Sequence, residues 1–461
     1  MLRALTVCAL LVIWPTVCFA QDPPKQTETI VRFDVKPMAA PKPALKYQLL
    51  PELKEMNPGN PILDYLKCFG EQQNFFFNKS AVDDREKWLT ASLADLRAVK
   101  ALHDYGRGPL TRADDAARLD NPDWQLLPKL KKDGWYLLLP EIQQLRNLAS
   151  CLKLRCRVQV AEHSFDEAIV TTKTNLALAR HLGEHPTIIG DLVAIAIAQV
   201  ALGPVEEMIG EPDCPNLFWA FTNLPHPFID LRRGMQGDRP ALDPVFAPID
   251  GTAPVSAAKL ETAVAKVEEL VKLNDKKKDV RAWLDGKTKD DNYVTLARKR
   301  LIETGLDEKT VQQFPSLQVV LLDEKREYEV RRDERMKWLS LPYWRVEAGI
   351  GDIPLTAVSD ESLLGAAVFA MNKVKKAQAR LDQKIAMLAH VEALRLYAAD
   401  HDGDLPAKLE DIKLPLPVDP FTGKAFLYEV SGATAIIKGS PSKGDEMNPA
   451  FNLRYVVTIK K

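Results

Sequence analysis

The stretch from Gln159 to Arg233 constrains this chain more than any other part of it. Ala161, Phe165, Ala168, Ile169, Thr172, Leu176 and Ala179 recur at steps of three and four, so they share one face of a helix. Glu167, Lys173 and Arg180 fall elsewhere around it. Gly183 and Pro186 end that helix, as a permissive residue followed by a ring that cannot continue the ladder should. Thr187 caps a second helix, from Ile188 to about Ile209. Between Ile188 and Leu202 only Asp191 and Gln199 interrupt an apolar run, which predicts a helix buried on most sides. The run is shorter than the roughly 20 residues a membrane span requires. A short helix from Leu217 to Leu224 carries Phe218, Trp219 and Phe221, expected as a hydrophobic plug on the bundle.

The turn Phe165-Asp-Glu-Ala-Ile169, entered from a helical Leu154–Ala161, resembles the inner turn of a tetratricopeptide repeat. Ala161, Phe165, Ala168 and Ile169 carry the likeness, over about residues 150–182. No second copy follows at the 34-residue period, and arrays need three or more units to bury a continuous core. The resemblance implies one TPR-like hairpin.

Lys+Arg of 62 against Asp+Glu of 63 leaves the 461-residue chain nearly neutral. No whole-chain field draws in nucleic acid, and that class of partner is not expected. Arg3, the apolar Ala4–Ile13 and Cys18-Phe-Ala20 read as a secretory signal cut after Ala20. The expected location is therefore periplasmic or secreted, with no stable membrane span after cleavage. Of six cysteines, Cys8 and Cys18 leave with the signal. Cys151 and Cys156 are five apart on a helix, where side chains diverge too far to bridge. The pairing of the four stays open; Cys68 with Cys214 is one pair they allow and four buried free thiols is the other reading, and no spacing among them is a zinc pattern.

The expected fold class is mostly α: multi-helix bundle and helical-hairpin domains with a small C-terminal α+β domain, a long helix plus a short antiparallel sheet. After residues 1–20, a proline-rich linker spans 21–61, and its proline density favours an extended leader over the short strand that Glu28–Val35 would make. A helical domain follows over 62–239, including a long helix from Leu137 to Val160. Residues 240–255 read as a second linker, and 256–358 as a second helical region with helices at 256–273, 294–301 and 316–339. Residues 359–461 form the last unit, with Ser359 capping a helix to about Asp400.

That helix ends in Leu394-Arg-Leu-Tyr-Ala-Ala-Asp-His-Asp-Gly-Asp-Leu-Pro406, followed by Pro417-Val-Asp-Pro-Phe-Thr-Gly423 and short β-branched runs. Tyr397, Asp400, Gly403 and Pro406, then Asp419, Pro420 and Gly423, resemble the soluble domain of the type II secretion major pseudopilin. The resemblance spans about residues 380–461 and implies a long helix leading into a small sheet. The pseudopilin's assembly helix lies at its extreme N-terminus, whereas the comparable helix here is internal, so assembly into a pilus is not implied. The chain as a whole also resembles a group of secreted, helix-rich bacterial proteins, which implies no activity.

Three patterns bear on chemistry. His181-Leu-Gly-Glu-His185 fits the H-x-x-E-H zinc spacing, but Gly183 and Pro186 end the helix inside it and should splay the imidazoles. It reads instead as a polar helix end, with cationic histidines near the C-terminal dipole. Asp400, Asp402 and Asp404 open like a calcium loop, yet Gly403 is fourth and Asp411 twelfth, where an EF-hand needs Gly sixth and Glu twelfth. Ser256-x-x-Lys259 and Ser440-x-x-Lys443 lack the companion motifs of that hydrolase class. No catalytic, cofactor-binding or metal residue is assigned. The sequence points to a non-catalytic interaction or scaffold role, with another envelope or secreted protein as partner. The alternative is a hydrolase between the helical regions, gathering two or more of His163, His181, His185 and His226 with carboxylates in a pocket. A binding module would instead show an apolar patch near Trp219 or on the long C-terminal helix.

Overall fold

The chain is mostly helical and carries a small four-stranded mixed sheet near its C-terminus, in a computed structural model that describes residues 27–249, 251–274, 278–350 and 362–460. The signal segment and Ser359 lie outside the described residues. In chain order, the elements that position the site are β1 (Thr29–Val35), α1 (Pro61–Glu71), α2 (Pro140–Ala161) and α3 (Phe165–Leu182). Then come α4 (Ile188–Gly210), α5 (Phe218–Thr222), α6 (Arg232–Asp238), α7 (Ala257–Asn274), α8 (Ser316–Leu339) and α9 (Gly365–Asp400). The sheet is completed by β2 (Leu427–Ser431), β3 (Thr434–Lys438) and β4 (Leu453–Ile459).

Helices α2, α3 and α4 pack on one another as the periodicity predicts. Ala161, Ala168, Ile169, Leu176 and Ala179 are all buried. Thr187 caps α4, its hydroxyl accepting the Gly190 N–H at 3.1 Å. Lys173, placed away from the apolar face by its spacing, is nonetheless buried, because Glu55 pairs with it at 2.8 Å from the segment that covers that side of α3. Helix α4 continues past its apolar run to Gly210, 23 residues in all, so by length and composition alone it is long enough to cross a membrane. The apolar run from Ile188 to Leu202 is thus shorter than the helix that carries it. In the fold its flanks are covered by α2, α3, α9 and β1.

Three boundary expectations are corrected. Residues 29–35 form a strand, because β1 pairs in parallel with β4 and sends Phe33 and Val35 into the main core; with Leu49 also buried there, 29–61 is no free leader. Residues 240–255 are not a loose connection. Leu242, Val245, Phe246 and Ile249 sit on short helical turns and are buried in a second core with α7 and α8. The C-terminal unit shares most of its core with the helices before it, with a small satellite cluster of Tyr343, Ala379 and Phe421 beside it. Ile385, Leu388, Val391 and Leu394 of α9 belong to the same cluster as α2–α5 and the sheet. Sheet order is β1-β4-β3-β2, antiparallel apart from the β1–β4 pair, in which Thr29 faces Leu453 and Val35 faces Ile459.

The turn resembling a pseudopilin motif has a local physical cause. At the end of α9, Asp402 takes φ 52° and Gly403 φ 86°, and the Gly403 N–H reaches back to the Ala398 carbonyl at 2.8 Å. This is a Schellman-type stop. Asp419 is fully buried and accepts from Phe421 N–H at 3.0 Å, Ser440 N–H at 2.8 Å and the Gln383 amide at 3.0 Å. One carboxylate thus ties the 417–423 loop and the β3 exit to α9.

Candidate functional site

Helix α5 is short because Leu217 opens it and Asn223 closes it, and its two faces differ. Phe218 and Phe221 are fully buried in the main core, while Trp219 stays partly open, packed edge-on against Phe218 at 5.0 Å. Trp219 forms one wall of an apolar hollow of about 440 Å³. The floor is Ile385, Ala386 and Ala389 of α9, and the far walls are Leu45 and the extended Pro415–Pro417. The two alanines leave the room that a larger residue would fill. Leu45 is 58% exposed at the rim. The polar groups in the hollow are largely engaged: the Asn223 amide donates to Gln48 at 2.8 Å and the Thr222 hydroxyl to the Phe218 carbonyl at 3.2 Å. A volume of this size with few polar groups falls within the range of small-ligand and side-chain pockets. A second, polar hollow of about 370 Å³ is lined by Gln236, Arg239, Pro240, Asp243 and Arg332. Its guanidiniums are already committed, since Arg239 and Arg332 donate to the two oxygens of Asp333 at 2.9 and 2.8 Å.

The four histidines do not converge. His226 is exposed at the apolar hollow, and His163 faces Arg97 at 2.8 Å near the end of α2. The H-x-x-E-H triplet is divided among three neighbours. His181 Nδ1 meets the Tyr65 hydroxyl at 3.1 Å, His185 Nδ1 meets Thr187 at 2.8 Å, and Glu184 pairs with Arg233 at 3.0 Å. The expected cationic helix end is corrected here, because burial pushes both His181 and His185 down to about 4, leaving them neutral. Among the described residues no three His, Cys, Asp or Glu gather in a metal-holding group. Asp400, Asp402 and Asp404 are exposed around the helix stop. Ser256 serves the start of α7, its carbonyl accepting the Leu260 N–H at 3.1 Å, and Ser440 is held by Asp419. Cys68, Cys151, Cys156 and Cys214 are free and buried, and burial pushes their thiols up to about 11 for Cys151 and about 12 for the others. Thiols held that high are not nucleophiles near neutral pH.

Between the triplet and α6 lies a polar cluster that sequence reading missed. Asp191 is fully buried, and among the described residues neither carboxylate oxygen has a hydrogen-bond partner. Burial first, then Asp238, Asp230 and Glu184, hold its carboxyl well above the usual range. Asp238 accepts the Ile188 N–H at 3.0 Å, and burial pushes it up to about 7. A carboxyl raised in the fold keeps a proton that the unfolded chain has released, so its cost develops as pH climbs from about 4 to about 7. Asp238→Asn keeps the acceptor and removes the titration. The variant should match wild type in its pH response below pH 4 and gain about 2–3 kcal/mol on it by pH 8, from about 1.4 kcal/mol per unit discounted for solvent contact. Urea unfolding at both pH values checks this; a pH-independent offset would contradict it.

Comparison of the chain with protein-family models, with curated protein sequences and with solved structures finds no match in any of the three.

Proposed function

We propose that the protein is a non-catalytic binding module of the periplasm or secreted space, holding another envelope or secreted protein in the hollow between α5, α9 and the Pro415–Pro417 segment. The compartment rests on the signal-like Arg3 to Ala20. The observation that carries the reading is the hollow itself: a partly open Trp219 and an exposed Leu45 over an alanine floor on a helix otherwise built into the core. An aromatic anchor beside a small-residue floor suits one apolar side chain of a partner, and truncating such anchors usually costs 2 kcal/mol or more.

The test is pull-down from envelope extracts with the mature chain, using wild type, Trp219→Ala and Leu45→Glu. Wild type should recover a specific protein, and each variant should retain it about 30-fold less well, the equivalent of roughly 2 kcal/mol. Both positions have solvent-facing surface, so the variants should keep wild-type circular dichroism. Recovery of the same protein by all three chains, or of none by wild type, would refute the proposal.

A further inference from the structure

Helix α4 is apolar almost throughout, yet one of its faces carries Gln199, Gly203, Glu206 and Glu207. This face lies between α2 and α9, and the cations of those helices lean over it. Arg157 of α2 takes Glu207 at 2.7 Å, and Lys384 of α9 takes Glu206 at 2.8 Å. Glu206 also accepts the Tyr455 hydroxyl at 2.6 Å. Both carboxylates are thereby engaged.

Two further cations make no ion pair among the described residues, although Glu207 and Glu206 act on Lys153 from beyond contact. Arg380 donates only to the Gln199 amide oxygen, at 2.8 Å, and lies 5.7 Å from the centre of the Phe451 ring; among the described residues it has no acidic partner. Lys153 is half-buried, and among the described residues neither an ion pair nor a hydrogen bond holds its ammonium. Its Cε lies 3.8 Å from where a side chain on Gly203 would begin, and nothing else comes within 4 Å there. Gly203 thus leaves a notch beneath Lys153. Gln199, which holds Arg380, is one helical turn away, about 6 Å along the axis. Burial holds the pKa of both cations below their ordinary values. Leaving a partly desolvated cation unpaired costs free energy that a bound anion would recover.

The geometry points to an oxyanion site in the furrow over Gly203, taking a phosphate group between Lys153 and Arg380. Around this face Lys153, Arg157, Arg380 and Lys384 outnumber Glu206 and Glu207 by two, a surplus that matches the charge of about −1.5 to −2 on a phosphate monoester. Arg380 supplies the planar fork suited to two phosphate oxygens, and Lys153 supplies a mobile point charge. This site is separate from the apolar hollow and does not depend on it.

Two probes are titrated against the full mature chain: inorganic phosphate by calorimetry, and vesicles of phosphatidylcholine with or without phosphatidic acid by co-sedimentation. Saturable binding of phosphate alone marks a free ligand. Retention on phosphatidic acid vesicles but not on pure phosphatidylcholine marks a lipid headgroup. Either result supports the site, provided that Lys153→Gln and Arg380→Gln each weaken it about tenfold. Gly203→Gln fills the notch and should weaken binding similarly; because residue 203 precedes Pro204 in the helix, where a Cβ is disfavoured, its circular dichroism is compared with wild type first. The control is Lys129→Gln, an exposed lysine on another helix, expected to bind as wild type does. Absence of binding to both probes overturns the site. So does undiminished binding by the three furrow variants, or an equal loss in the Lys129 control.

Discussion

Arg395→Met is expected to remove about 3–5 kcal/mol of stability, although methionine fills a similar volume and is a good helix former. Arg395 is 1% exposed and pairs with the fully buried Glu392 at 3.0 Å. Its remaining donors reach the Lys36 carbonyl at 3.1 Å and the Cys214 carbonyl at 2.8 Å. One guanidinium therefore joins α9 to the exit of β1 and to the loop before α5. Its loss strands a carboxylate whose pKa burial already raises, together with the buried Cys214 carbonyl. The Arg395→Met/Glu392→Leu double variant has no orphaned charge and should recover most of the deficit. Urea denaturation followed by circular dichroism measures both. A single variant within 1 kcal/mol of wild type, or a double no better than the single, would show that the pair does not hold this junction.

The second large effect concerns glycines whose backbone would tolerate alanine. A Cβ on Gly234 would sit 2.1 Å from Asp191 Oδ2 and 2.8 Å from the Thr187 carbonyl, and one on Gly237 would sit 2.0 Å from the Pro186 carbonyl oxygen. Backbone oxygens at α4's start cannot swing aside, so α6 must lift off. Gly234→Ala and Gly237→Ala should each cost about 3 kcal/mol, the upper range for overpacking. Gly70 in α1 and Gly286 in the helix Val280–Thr288 have nothing within 4 Å of the added methyl group. There the same substitution should be neutral or stabilise by about 0.5–1 kcal/mol, through helix propensity alone. Thermal melts of the four variants should divide by sign; a common sign would mean that the close approach of α6 to α4 is not what these glycines serve.

Sequence legibility followed the range of the interactions involved. The hairpin could be read because Ala168, Leu176 and Ala179 announce a helical face within one segment, and Ser316–Leu339 was bounded correctly for the same reason. Strand β1 could not, since its partner Leu453–Ile459 lies more than 400 residues away and proline density dominated the local signal. The short turns at 239–249 were misread because four prolines between Arg239 and Pro254 look like a linker until Val245 and Phe246 find their core. The patch near Trp219 was anticipated as a kind of surface, but its other walls, Leu45, Ala389 and Pro417, come from three distant places that periodicity cannot bring together. Asp191 and Gln199 were visible as interruptions of an apolar run. What each one becomes, a buried acid without a hydrogen-bond partner among the described residues and the acceptor for Arg380, depends on neighbours that only the fold supplies.

The parallel pairing of β1 with β4 has a consequence for biogenesis. A ribosome delivers residue 29 long before residue 453, so the first strand must wait through more than 400 residues of synthesis with its backbone donors and acceptors facing water. Helices of the middle region have all their hydrogen-bonding partners nearby and are free to assemble meanwhile. Closure of this fold therefore waits on two strands far apart in the chain, and loss of β4 would release β1 as well.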